Sequence, residues 1–114
     1  MTAAPLWGKY RGVVSLNLDP ERRGRLRAKV KALGDLEVSW ALPATPYAGD
    51  GVGLYLVPPV GAHVWIEFEG GDVDYPVWSG CFWETGQCPA SPPLPTTRVL
   101  KTDTATVTLS LIHI

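Results

Sequence analysis

The sequence predicts an all-β fold, with one small antiparallel barrel over residues 10–83, and three features point there. The apolar runs are short and end at Gly, Pro or Asp clusters, lengths that suit strands better than helices. Two of them, Gly24 to Ala32 and His63 to Glu69, alternate apolar and polar residues with period two. Composition agrees: 12 Gly and 11 Pro in 114 residues impose many turns, while 46% hydrophobic content and five Trp suffice for a core. Single cores occupy roughly 100–200 residues, so one domain and little else is expected, and a multi-domain enzyme is not.

Along the chain, residues 1–9 read as an extension. Tyr10 to Leu16 (YRGVVSL) is the first strand, followed by the turn NLDPERRG, in which Asp19 and Pro20 are strong turn formers. Gly24 to Ala32 then sets Arg25, Arg27, Lys29 and Lys31 on one face and Leu26, Ala28 and Val30 on the other. Leu36 to Ala41 is a shorter strand entering PATPYAGDGVG, read as a flexible connection, and Leu54 to Val57 is extended until Pro58 and Pro59 break it. In His63 to Glu69, Val64, Ile66 and Phe68 face the core and Trp65, Glu67 and Glu69 face away; Gly70, Gly71 and Asp72 turn the chain into the aromatic strand Tyr75 to Trp83. Residues 84–95 carry four prolines and form a linker. Residues 96–108 start a further β-structure, with Val99 to Leu109 as a single strand. It places Thr102, Thr104, Thr106 and Thr108 on one face, and a lone strand must find partners in a second domain or another chain. The end, LSLIHI, resembles a translated sequencing-library adapter. On that reading residues 109–114 are wholly or partly foreign, the natural chain is longer, and no functional weight rests on His113.

Ten Lys and Arg against eleven Asp and Glu give a net charge of −1, so no global field draws the chain to nucleic acid or an anionic membrane. No apolar run of about 18 residues is present, and MTAAPLWGKYRG lacks the charged start and apolar stretch of a signal peptide. Cys81 and Cys88 make neither a disulfide framework nor a zinc site; a pairing between them stays open, with a buried thiol at Cys81 the simpler expectation.

Taken in order, YRGVVSLNLDPERRGRLRAKV, EVSWALPATPYAG, GLYLVPPVGAHVWIEFEGGDVDYPVWSGCFW and VLKTDTATVTL resemble the OB domain of the phage baseplate assembly protein V and spike family. The resemblance runs from about Tyr10 to Thr108. It implies a five-stranded Greek-key OB barrel, three copies of which surround a tail axis, followed by a linker and the first strand of a trimeric β-structured needle. It further implies a homotrimer, assembled in the bacterial cytoplasm into a virion or injection-particle baseplate. The implied neighbours are baseplate hub and tail-tube proteins and a spike-tip protein, and membrane contact is through the assembled spike alone. No cofactor, metal or small-molecule substrate is implied.

Surplus aromatics beyond the needs of so small a core make Trp65, Phe82 and Trp83 the subunit-interface candidates, with Val64, Ile66, Phe68 and Trp78 in the core. The rival reading is a free-standing OB module binding single-stranded nucleic acid through the basic face of Arg25, Arg27, Lys29 and Lys31, with Arg23 beside it. Against it stands the absence of net positive charge, which removes the counterion-release contribution. The plainer reading of that face is a solvated surface or one paired with Glu67, Glu69 or Asp72, and a third is a dock for an acidic neighbour in the baseplate, which the sequence does not separate from the plain one. Cys81 with His63 has no orienting acid or nucleophile elbow, and Glu67 with Glu69, about 7 Å apart on one strand face, has no cleft. GDGVG lacks the Lys-Ser or Lys-Thr of a phosphate loop. No catalytic residue is assigned.

Overall fold

The computed structural model describes residues 4–109, which divide after Phe82 into two compact units. The first holds β1 (Tyr10–Leu16), β2 (Arg27–Val30), β3 (Leu36–Glu37), β4 (Leu42–Pro43), β5 (Ala48–Gly49), β6 (Val52–Gly53), β7 (His63–Phe68) and β8 (Pro76–Phe82). The second holds β9 (Arg98–Lys101) and β10 (Thr106–Leu109).

The larger sheet runs β3-β2-β1-β7-β8-β4. Its two ends belong to one extended run. Residues 36–41 pair antiparallel with β2 and its approach, through Val30↔Leu36, Lys29↔Glu37 and the bridge Leu26↔Ala41, and the next two residues pair in parallel with Val77 and Trp78 of β8. Five extended runs thus close into a ring, the OB arrangement expected from the sequence. Closure satisfies backbone groups that an open sheet would leave as edges.

Period two explains the core. Val64, Ile66 and Phe68 on β7, Leu26, Ala28 and Val30 around β2, Val14, Val38, Ala41 and Trp78 are all buried, as the alternation required. Each such aliphatic side chain contributes about 1.5–3 kcal/mol on burial. Trp78 brings a polar atom inward, and its Nε1–H donates to the Gly24 carbonyl at 3.0 Å. Gly12 on β1 faces inward where no larger residue fits: a Cβ there would lie 3.1 Å from Ile66 Cγ1 and 3.3 Å from Ala28 Cβ.

Several boundaries differ from expectation. In the basic run the strand is shorter than expected, Arg27–Val30 with a single further bridge at Leu26, and it stops at Val30 because the chain winds into a 3₁₀ turn over Lys31–Leu33, closed by Gly34 at φ 72°. The GDGVG region is no flexible loop but the turn of the β5–β6 hairpin, while Leu54 to Val57 is extended without joining a sheet. Glu69 leaves the strand for a 3₁₀ turn in which Gly70 and Gly71 have φ of 60° and 76°. The N-terminal segment latches onto that turn: Leu6 N–H donates to the Gly71 carbonyl at 2.8 Å, and a Cβ on Gly71 would meet Pro5 and Trp7 at 2.9–3.1 Å.

The threonine-rich tail is a hairpin, not one strand. β9 and β10 pair antiparallel, and Thr102 Oγ1 accepts the N–H groups of Thr104 and Ala105, which turns the chain. Of the adapter-like residues 109–114, all but Leu109 lie outside the described residues.

Candidate functional site

The basic face is divided by its surroundings. Asp19, buried in the β1–β2 turn, accepts backbone N–H groups of Glu21, Arg23 and Arg25, and from the Arg25 side chain Nη2–H at 2.8 Å and Nε–H at 3.0 Å. The Arg25 guanidinium, reinforced by those backbone donors, holds the Asp19 carboxyl well below the usual carboxylate range, although desolvation opposes the shift. Arg25 also lies over the Trp40 ring at 5.6 Å, and Arg23 pairs with Glu21 at 3.2 Å. Arg27 donates to the Val38 carbonyl at 2.9 Å and sits 3.5 Å from Glu37, which also accepts from Ser15 at 2.6 Å. The acids are therefore Asp19, Glu21 and Glu37, in place of the expected Glu67, Glu69 or Asp72. Lys29 and Lys31 are exposed and have no carboxylate within salt-bridge reach among the described residues.

A second cluster covers the outer face of β1, β7 and β8. Trp65 and Phe82 stack with ring centroids 4.6 Å apart, His63 lies 5.4 Å from Phe82, and Arg11 caps Trp65 and Phe82 at 5.5 and 5.2 Å. Phe82 reaches this face through a bulge. Ile66 opposes Trp78 but Val64 opposes Cys81, so β8 has one extra residue there, and Gly80 takes it up at φ 124°. Unbroken alternation from the inward Trp78 would have sent Phe82 into the core. Trp65 and Phe82 are half-buried in their own stack, whereas Trp83 is 63% exposed. Cys81, one residue before the end of β8, is an exposed free thiol, correcting the expected buried one; partial desolvation pushes its pKa up. Cys88 is likewise free and exposed.

A third feature was not singled out from the sequence. The hairpin β5–β6 and the run after it stand off the barrel wall over a groove of about 590 Å³, lined among others by Arg22, Arg23, Pro43, Tyr47, Tyr55 and Trp78. Leu54 N–H donates to the Tyr47 carbonyl at 2.9 Å, Thr45 Oγ1 to the Leu54 carbonyl at 3.0 Å and Asn17 Nδ2 to the Pro58 carbonyl at 3.1 Å. Between these pins Tyr55, Leu56 and Val57 make no backbone hydrogen bond among the described residues. The signal was present as an uncharged stretch: between Leu42 and Ala62 the sole charged residue is Asp50.

No group of three or more His, Cys, Asp or Glu among the described residues is placed to hold a metal, and no described helix is long and apolar enough to cross a membrane. What the geometry offers is a closed barrel that carries a partly neutralised basic face, an aromatic cluster and a groove under the β5–β6 hairpin. The family described as the type VI secretion system/phage-baseplate injector OB domain matches residues 10–83, from the first barrel strand to the last. The chain belongs to that family. Membership of this injector OB-domain family makes it a component of the structural spike and baseplate class, and fits the closed ring. Among curated proteins it is similar to the type VI secretion system spike protein VgrG4b of Pseudomonas aeruginosa strain PAO1, 37% identical over 68 residues. That match covers 55% of this chain and 8% of VgrG4b, so the chain spans a small part of the relative's length.

Proposed function

We propose that this injector OB domain works in a contractile phage tail or phage-like injection system as a homotrimeric spike or baseplate hub, joining the tail tube to a puncturing needle. The observation that carries the reading is the family match across the whole barrel, residues 10–83. The role is mechanical. A closed ring of strands with Ile66, Val64 and Leu26 fully buried has few free edges along which to shear, so force enters one end and leaves at the other. Residues 84–95 serve as the linker and residues 96–108 as the start of the needle; both strands of the β9–β10 hairpin lack a covering layer of their own, with Leu100, Val107 and Leu109 exposed, as expected of a ribbon that pairs between chains. Trp65, Phe82 and Trp83 face neighbouring subunits in this reading, and tube, hub and tip proteins are its partners.

Analytical ultracentrifugation of the protein at its full natural length tests it. The expected result is the mass of three chains; a strict monomer at high concentration overturns the reading.

A further inference from the structure

The run from Tyr47 to Val60 presents Tyr47, Val52, Leu54, Tyr55, Leu56 and Val60 to solvent, each about half exposed or more, with Tyr55 at 72%. So much apolar surface on one short segment is unusual for a soluble surface and marks a contact. Among the described residues its extended backbone also has no partner at Tyr55, Leu56 and Val57.

We propose that this strip is where copies of the chain meet, packed around the threefold axis of the spike. The inference rests on the trimeric reading above and adds the surface that serves it. Charge selects the occupant. Side chains at a threefold axis meet their own images, so any charge placed there stands beside two like charges, in a setting where screening by water is lost. Asp50 sits at the hairpin turn, and from Gly51 to Ala62 there is no charged residue, so the contact is confined to Val52–Val60. The Trp65 and Phe82 face differs, because Arg11 lies over both rings and Glu67 is the next outward residue on β7. That face carries charges of both signs, which suits a sideways contact with a different surface. Pro58 and Pro59 add a limit, since neither can donate to a ladder. Pairing is thereby confined to the few residues before them, which lets the contact close on a small ring and blocks a growing edge.

The test uses the full-length protein carrying Tyr55→Glu with Leu56→Glu. Tyr55 and Leu56 are at least about half exposed, so the thermal unfolding of the barrel is expected to match the parent; because the needle strands also hold chains together in the trimeric reading, the readout is hydrogen exchange at residues 54–57, expected to be slow in the parent trimer and fast in the variant. A parent trimer in which those amides exchange as fast as in the variant overturns this inference and leaves the spike reading standing. A monomeric parent overturns both. Should the double variant misfold, spin labels decide: in a Cys81→Ser, Cys88→Ser background, a label at Tyr55→Cys is expected to give a shorter distance between copies than one at Lys29→Cys. An equal or longer distance overturns the inference.

Discussion

Asp19 does more than start a turn. One carboxylate gathers three backbone N–H groups and a bidentate guanidinium, fixing residues 19–25 as they lead into β2. Because Arg25 and those donors depress its folded pKa below the unfolded value of about 3.9, its contribution to stability is complete above that value and is lost as pH falls below it. Asp19→Asn is therefore expected to lower the Tm by several degrees at pH 7, with the gap to the parent narrowing below about pH 4; thermal melts at both pH values check this, and a gap independent of pH counts against it. Gly12 acts by being small. Gly12→Val drives two methyl groups toward Ile66 and Ala28, and overpacking of this kind costs about 1–3 kcal/mol, to be read as a lower urea midpoint with an unchanged m-value.

Among the elements, β8 is the one whose geometry decides most. Its first half holds Trp78 inside with a hydrogen bond to Gly24; its second half, after the bulge, holds Phe82 outside against Trp65. Trp78→Phe keeps the ring but leaves the Gly24 carbonyl without its donor, a loss of about 1–3 kcal/mol, measurable by chemical denaturation. Gly80 would give a Cβ open space, yet its φ of 124° is strained for any other residue. The sequence made the core positions of β7 and β2 legible because alternation there is unbroken. It could not reveal the parity change in β8, since one extra residue leaves no mark on composition. Nor could it pair the basic face: Asp19 is brought to Arg25 by a turn and Glu37 to Arg27 by the β2–β3 pairing, and neither contact is local periodicity. The β9–β10 turn was missed for a related reason. Its residues Thr102 to Ala105 contain no Gly or Pro, and a threonine hydroxyl does the turning.

At the scale of the whole molecule the two units have unequal means of holding themselves together. Among the described residues, all the buried hydrophobic side chains, from Val14 to Trp78, lie in the first unit, within a ring whose last strand ends at Phe82. A chain ending at Trp83 should therefore unfold in one cooperative transition. The hairpin in the second unit is different. Its two strands share backbone hydrogen bonds, but β10 is exposed throughout and β9 has only Val99 half covered, and an isolated two-stranded ribbon is marginal in water. Hydrogen exchange on the full-length protein makes the contrast measurable. In a monomer, amides of residues 98–109 should exchange orders of magnitude faster than those of β1, β7 and β8; on the proposed trimeric reading they should become protected in the assembled state, where neighbouring chains supply strands to the ribbon. Equal protection in both states would mean that the ribbon is stable alone and takes no part in assembly.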